Sequence, residues 1–231
     1  MSAGPASLVG RSPLLTSCAG VGGGGTIGRV LLTPPSDPDD KPAWRDRLRA
    51  ARRALVEAQG AAGREAQAEA LASVMLTWLR GYAAAHLEGR LRGTTVTAYE
   101  QLRTEPPLDR FVEAAHAEGV RVLVPITLGL AQRRLDWHEA GDPDRVPLGP
   151  GALATVDVCF LPGLAVDRRG VRLGKGGGYY DAALPLLAPG TPRIAVLHDH
   201  ELVDRLPRDT HDEPVEAVVT TAGVRWLTPR A

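Results

Sequence analysis

The glycine-rich segment 172–181, which reads RLGKGGGYYD, constrains the fold more than any other stretch of the chain. An apolar run that ends at Pro162-Gly163 lies before it and has the length of a buried strand, and a short helix is predicted from Ala182 onward. Glycines let backbone N–H groups turn toward an oxyanion because they tolerate positive φ, and a helix start adds a positive dipole end. The segment therefore predicts a strand, a loop and a helix with an anion site at the loop.

Charged side chains frame these glycines. Arg172 offers a planar guanidinium that suits two phosphate oxygens, whereas Lys175 offers a mobile point charge, so the two could hold different parts of a polyphosphate. Asp181 closes the segment with a carboxylate, and Mg²⁺ is commonly held by one or two carboxylates together with phosphate oxygens. The pattern predicts a nucleotide site, and the alternative is a flexible glycine loop whose charges face water. The segment matches neither the P-loop nor the GxGxxG pattern.

Apolar periodicity in the rest of the chain predicts an α/β domain. A first helix is predicted to begin near Asp40 and a second to cover about 64–87, followed by a helix at 108–118 and a short one from 202. Strands are predicted at 96–99, 120–126, 156–161, 193–197 and 217–220. Because strands separated by helices pair in parallel through right-handed crossovers, we expect a single three-layer α/β/α domain with an open, mostly parallel sheet.

Composition divides the chain at about residue 40. Residues 1–40 are rich in Gly, Ser, Pro and Thr and are predicted to be a disordered extension, and residues 41–231 are predicted to form the domain. The chain has 231 residues and 44% hydrophobic content, which is enough for one sizeable core.

Bulk charge and cysteine usage bound the partners and the compartment. Lys+Arg and Asp+Glu each total 27, so the formal net charge is zero and neither nucleic acid nor a membrane is expected as a partner. No run approaches the ~18 apolar residues of a membrane helix, and the first residues do not resemble a signal peptide. Cys18 lies in the predicted extension and Cys159 in a predicted buried strand, so we expect a reducing compartment, the cytoplasm.

The stretch from Leu161 to Asp181, LPGLAVDRRGVRLGKGGGYYD, closely resembles the signature of the 5-formyltetrahydrofolate cyclo-ligase family. The resemblance implies a fold like that of sugar-phosphate isomerases and CoA transferases. It also implies a monomer or a homodimer that uses ATP and Mg²⁺ to close 5-formyltetrahydrofolate to 5,10-methenyltetrahydrofolate, releasing ADP and phosphate. Two alternatives remain open: a folate- or nucleotide-binding protein without turnover, and another enzyme on the same scaffold.

The resemblance extends the ATP site to the first helix. Lys41 and Arg45, four residues apart, match a Lys and an Arg that reach the ATP phosphates in the family, whereas Arg49 and Arg52 are predicted to face solvent. Arg172, Lys175 and Tyr179 are the predicted catalytic residues. The whole predicted ATP site comprises Lys41, Arg45, Arg172, Leu173, Gly174, Lys175, Gly176, Gly177, Gly178, Tyr179 and Tyr180.

The resemblance also implies a folate pocket. Glu105 matches a family acid that contacts the pterin, with Glu100 as a second candidate, and a plain surface carboxylate is the alternative for either. Trp137 matches an aromatic residue that lines the pocket, and Tyr179 and Tyr180 are assigned to the same pocket. The chain departs from the family pattern at 141–149, where many relatives carry a longer insert.

A predicted metal pair completes the site. Asp212 matches a family acid that assists Mg²⁺ binding and joins Asp181 as the second predicted ligand. His198 and His200 flank Asp199, but two histidines at this spacing without a third His or Cys nearby are weak evidence for zinc. They are therefore predicted to be surface histidines.

Overall fold

The structure, a computed structural model, describes residues 33–227. Residues 1–32 of the predicted extension, including Cys18, and the last four residues of the predicted domain lie outside the described residues. Residues 33–40 contact the first helix. Arg47 donates to the carbonyl of Thr33 at 3.2 Å, and the indole N–H of Trp44 donates to the carbonyl of Pro38 at 2.9 Å.

Residues 33–227 contain four α-helices: α1 (Lys41–His86), α2 (Asp109–Ala117), α3 (Gly129–Gln132) and α4 (Tyr179–Ala183). The Asp40 side chain caps α1 by accepting from the backbone of Ala43 at 2.9 Å. Gly60, at φ 62° and ψ −169°, divides α1 into an N-terminal arm (41–59) and a C-terminal arm (61–86), because essentially only glycine adopts this conformation. The two predicted helices are thus both present. Among the described residues, no helix is apolar enough over sufficient length to cross a membrane.

The same residues contain ten strands: β1 (Thr95–Thr97), β2 (Arg121–Thr127), β3 (Leu135–Glu139), β4 (Val158–Pro162), β5 (Ala165–Asp167), β6 (Arg172–Leu173), β7 (Arg193–Val196), β8 (Leu202–Val203), β9 (Ala217–Thr220) and β10 (Gly223–Trp226). Seven of them form a sheet in the order β10-β9-β7-β4-β1-β2-β3. The five predicted strands pair in parallel at its centre, and β3 and β10 add antiparallel edges that the sequence analysis did not predict. The mostly parallel sheet is confirmed.

Both faces of this seven-stranded sheet are buried, and successive side chains of a strand point to opposite faces. Val158 and Phe160 of β4 pack toward the C-terminal arm of α1 and toward α2. Cys159 and Leu161 point to the other face, where α4 and the 3₁₀ turns Pro150–Thr155 and Leu184–Leu186 pack. This arrangement confirms the three layers, since each face is covered by helical elements.

A smaller sheet, β6-β5-β8, supports the N-terminal arm of α1. Trp44 and Leu48 of that arm pack against Leu173 of β6 and other apolar residues of the small sheet. The predicted helix from 202 is wrong, because Leu202 pairs with Val166 at the open edge of β5 and strand pairing overrides the local helical pattern. This packing brings the arm beside the glycine-rich segment.

Candidate functional site

A cleft of about 370 Å³ lies where β1, β2 and β4 end. Its wall includes Tyr99 after β1, Thr127 of β2 and Pro162 of β4, so it occupies the edge where ligands bind in open α/β sheets. Most of the predicted site residues line this cleft: Lys41, Arg45, Glu100, Glu105, Arg172, Leu173, Gly174, Lys175, Gly176, Gly177, Gly178, Tyr179, Tyr180, Asp181 and Asp212. The structure therefore brings together residues from distant parts of the chain.

The glycine-rich segment is held open by positive φ and by the first helix. Gly176 has φ 99° and Gly178 has φ 70°, and both values lie in the left-handed region that favours glycine. Arg45 donates through Nε to the carbonyl of Gly174 at 3.0 Å. A Cβ atom added to Gly176 would lie 3.4 Å from the guanidinium carbon of Arg45. Arg45 therefore positions the loop and also lines the cleft.

Arg172 and Asp181, predicted to hold phosphate and metal respectively, contact each other. Nη2 of Arg172 lies 2.8 Å from Oδ1 of Asp181, and the Arg172 side chain is only 3% exposed. Its guanidinium carbon lies 5.7 Å from the ring centre of Tyr180, a cation–π distance. Because buried charges are normally paired, Asp181 neutralises Arg172 in this structure.

Lys175 and Glu105 form a second pair across the cleft. Nζ of Lys175 lies 2.6 Å from Oε1 of Glu105, with side chains 47% and 4% exposed respectively. Oε2 of Glu105 accepts from the backbone N–H of Leu102 at 2.8 Å. The buried carboxylate is thus fixed by its own loop, whereas the ammonium reaches it from a solvent-exposed position.

Lys41 bridges two carboxylates at the other end of the cleft. Its Nζ lies 2.7 Å from Asp209 and 2.6 Å from Asp212. Burial alone would lower the pKa of Lys41, but hydrogen bonds to these carboxylates outweigh burial and raise its pKa above the ordinary value. Asp209 was not among the predicted site residues. Its backbone N–H donates to the Asp212 side chain at 2.7 Å. The spacing of two aspartates three residues apart is the sequence signal that could have identified it.

Carboxylates at this end suit the oxygen preference of Mg²⁺. One ligand atom each from Asp209, His211 and Asp212 lie within 4.8 Å of one another. The backbone N–H of Glu213, next to Asp212, approaches Oδ1 of Asp181 at 3.4 Å, so the two predicted metal residues belong to neighbouring segments. The carboxylates fit Mg²⁺, whereas an imidazole ligand is more typical of transition metals.

The remaining predicted folate residues occupy different positions. Glu100 lies at the cleft but pairs with Arg145 of the short segment 141–149, and this hydrogen bond lowers the pKa of Glu100. Trp137 is 1% exposed and does not line the cleft; it packs edge-on against Tyr180, with ring centres 6.5 Å apart. The ring of Tyr179 covers Gly177, because a Cβ atom there would come within 2.7 Å of it.

Two predictions of surface exposure are wrong. Arg52 is 1% exposed and forms a two-pronged pair with Glu201, with Nη2 2.9 Å from Oε2. Arg52 lies four residues after buried Leu48 on the same helical face, a signal for burial that the row of cations obscured. His198 is also 1% exposed, whereas His200 is partly buried. These residues lie behind the cleft and not on its wall.

Comparison with known proteins gives consistent results. The model of the 5-formyltetrahydrofolate cyclo-ligase family matches residues 37–221. A 5-formyltetrahydrofolate cyclo-ligase of Mycolicibacterium smegmatis is 33% identical over 198 residues, which cover 79% of this chain and 94% of the relative. The corresponding Escherichia coli K12 protein is 33% identical over 137 residues, which cover 54% of this chain and 74% of the relative.

Solved structures agree on the fold. The 5,10-methenyltetrahydrofolate synthetase of Mycoplasma pneumoniae superposes with a TM-score of 0.61 at 20% identity, covering 79% of this chain and 99% of that chain. The Aquifex aeolicus 5,10-methenyltetrahydrofolate synthetase gives 0.60 at 23% identity, covering 81% and 92%. At these identities the similarity supports the architecture alone.

Proposed function

The chain belongs to the 5-formyltetrahydrofolate cyclo-ligase family, and from that premise we propose that it closes 5-formyltetrahydrofolate to 5,10-methenyltetrahydrofolate while ATP becomes ADP and phosphate, with Mg²⁺ as cofactor. The observation that carries the proposal is the convergence of Lys41, Arg45, Arg172 and Lys175 with Asp181 and Asp212 on one cleft. Such a cleft has the cations that a polyphosphate needs and the carboxylates that its metal needs.

The chemistry explains why a nucleotide and a folate must share this cleft. The N5-formyl group is an amide whose oxygen is a poor leaving group. Attack of that oxygen on the γ-phosphorus breaks the bond to the bridging oxygen and releases ADP. N10 then attacks the activated formyl carbon and loses its proton, and the carbon–oxygen bond breaks as phosphate leaves. These steps need alignment and charge neutralisation and no protein nucleophile.

Lys175 changes partner in this scheme. Its ammonium is half-exposed on a glycine-rich loop, so it can leave Glu105 when the γ-phosphate of ATP offers a stronger negative charge. Oε1 of Glu105 is then available to accept a hydrogen bond from an N–H group of the pterin, while Oε2 stays on Leu102. The ion pair thus keeps both charges compensated until the substrates replace it.

The other charged residues hold the phosphates from the remaining sides. Lys41 and Arg45 approach from the N-terminal arm of α1, and Arg172 from the floor of the cleft, where Tyr180 supports its guanidinium. Asp181 and Asp212 would hold Mg²⁺, which would supply positive charge to the phosphates of ATP. Tyr179, over Gly177, covers the loop and bounds the folate pocket.

A direct assay tests this proposal. Purified protein is mixed with 5-formyltetrahydrofolate, ATP and Mg²⁺, and the absorbance of methenyltetrahydrofolate is followed, with omission of ATP and a non-hydrolysable ATP analogue as controls. Stoichiometric formation of ADP and methenyltetrahydrofolate is the expected result. Binding of both substrates without product would instead indicate a binding protein that lacks turnover, and failure to bind folate would favour another enzyme on this scaffold.

A further inference from the structure

A buried polar network lies directly behind the cleft. Glu201 accepts two hydrogen bonds from Arg52 and a third from the backbone N–H of His198, at 3.0 Å. Arg52 also donates to the carbonyl of Gly163, a residue of the cleft wall. The network therefore joins the N-terminal arm of α1 to the end of β7 and to the floor of the cleft.

His198 connects this network to the loop that carries Glu105. Its Nε2 lies 3.0 Å from the carbonyl oxygen of Thr104, and its Nδ1 lies 2.8 Å from Nε2 of Gln67. Among residues 33–227, His198 is the one side chain that donates to the Thr104 carbonyl. Because Thr104 directly precedes Glu105, this contact fixes the backbone from which the Glu105 carboxylate projects.

The partners of His198 determine its tautomer. A carbonyl oxygen can only accept, so Nε2 must carry a hydrogen, and a neutral ring then leaves Nδ1 as an acceptor. Gln67 must accordingly present its NH₂ group to Nδ1. Burial lowers the pKa of His198 to about 4, which keeps the ring neutral at physiological pH. Every hydrogen-bonding group of the imidazole is then used.

We propose that His198 is a positioning residue for the folate side of the cleft: its Nε2–H holds the Thr104 carbonyl and so sets where the Glu105 carboxylate meets the pterin. This inference rests on the proposed function, because it takes Glu105 as the pterin contact. The loop itself is closed by the Glu105–Leu102 contacts, and Arg64 adds a part-buried bond to the Glu105 carbonyl at 3.1 Å. His198, which is 1% exposed, holds the preceding residue, Thr104.

Two substitutions separate the functions of the two ring nitrogens. The amide nitrogen of Gln reaches roughly the position of Nε2, so His198→Gln keeps the donor to Thr104 and loses the acceptor for Gln67. The amide oxygen of Asn reaches roughly the position of Nδ1, so His198→Asn keeps the acceptor and loses the donor. His200→Gln is the matched control, because its ring stacks on His198 at 5.9 Å and lies outside the cleft.

The expected result is a selective effect on folate. His198→Asn should raise the KM for 5-formyltetrahydrofolate about tenfold, the effect of one lost hydrogen bond, and leave the KM for ATP within about twofold. His198→Gln and His200→Gln should stay near the wild-type values. Equal losses in the Asn and Gln variants, or a loss expressed in the KM for ATP, would show that His198 is merely structural and overturn the proposal.

Two further measurements keep the test decisive. Nitrogen NMR of histidine-labelled protein should show His198 protonated at Nε2 alone, and a hydrogen on Nδ1 would overturn the proposal even if His198→Asn fails to fold. Calorimetric titration of the wild type with 5-formyltetrahydrofolate distinguishes a failure of the proposed function from a failure of the proposed role of His198. Absence of both binding and turnover would remove the proposed function, whereas an active wild type with indistinguishable Asn and Gln variants would remove only the role of His198.

Discussion

The front and the back of the cleft are built in different ways. At the front, Lys175, Lys41 and Asp209 form ion pairs that remain partly exposed to solvent. At the back, Arg52, Glu201 and His198 are at most 1% exposed and are hydrogen-bonded to one another and to Gly163, Gln67 and Thr104. Exposed pairs are weak and can exchange partners, whereas buried pairs tolerate no loss of a partner. The front is therefore suited to contact substrates and the back to hold the front in place.

This comparison predicts the largest effect at Arg52. Arg52→Ala leaves the Glu201 carboxylate buried without its cation, which should lower the free energy of unfolding by about 3–5 kcal/mol. Arg53→Ala, at the adjacent exposed position of the same helix, is the control and should change it by less than about 0.5 kcal/mol. Urea denaturation of the two variants gives the comparison. Equal stability of both would mean that the back of the cleft is no more sensitive than the surface.

The next effect concerns pH. His198 has a pKa of about 4 in the folded protein and 6.5 as its ordinary value, so the unfolded chain binds a proton first as pH falls. The contribution of His198 to the free energy of unfolding should therefore be constant above pH 6.5. It should decline by an amount on the order of a few kcal/mol as the pH falls from about 6.5 to 4. His198→Gln removes this contribution, and carboxylates elsewhere contribute equally to both proteins. Parallel stability curves for the wild type and the variant across this range would contradict the buried, neutral imidazole.

The same contrast explains what the sequence reveals. That Lys175, Arg172 and Asp181 lie together at one cleft could be predicted, because they share one short segment whose glycines indicate a loop. Arg52 lies in α1, whereas His198 and Glu201 share the distant segment 198–201, and charged residues such as Arg52 and Glu201 are usually exposed. Their burial depends on how the N-terminal arm of α1 packs on the small sheet, and local periodicity signals it only for Arg52, which lies four residues after buried Leu48.

The fold shows a similar division. The five central strands were predicted because strands buried on both faces have continuous apolar runs. The edge strands β3 and β10 mix polar and apolar residues, and β8 has only two residues, so pairing with a neighbour defines them. The pairing of Lys175 with Glu105 was likewise not predicted, since it joins residues 70 positions apart.

At the front of the cleft, Lys175→Ala should act on catalysis and not on stability. The lost ammonium contributes roughly 1.5–3 kcal/mol to a phosphate contact, so kcat/KM for ATP should fall about tenfold to hundredfold, with a smaller effect on folate. Glu105→Gln is the reciprocal variant, because it releases Lys175 and should raise mainly the KM for 5-formyltetrahydrofolate. Steady-state kinetics with each substrate varied in turn distinguish the two. Unchanged ATP kinetics in Lys175→Ala would remove Lys175 from the phosphate site.

The smallest expected effect is on the metal and tests how exchangeable the front pairs are. Asp181→Asn keeps the shape of the side chain and its contact with Arg172 but loses the charge, so it should weaken Mg²⁺ activation severalfold and recover at high Mg²⁺. Asp212→Asn should act in the same direction but more mildly if Asp212 holds the ion through water. Asp209→Asn is the matched control, because Asp209 shares Lys41 with Asp212 yet has a side chain that is 54% exposed instead of 12%.

Mg²⁺ titrations of turnover rank the three variants by their loss of Mg²⁺ activation, and circular dichroism confirms that each is folded. A larger effect in Asp209→Asn than in Asp212→Asn would move the metal assignment to Asp209, and a folded Asp181→Asn variant with the wild-type Mg²⁺ curve would leave Asp181 as the partner of Arg172 alone.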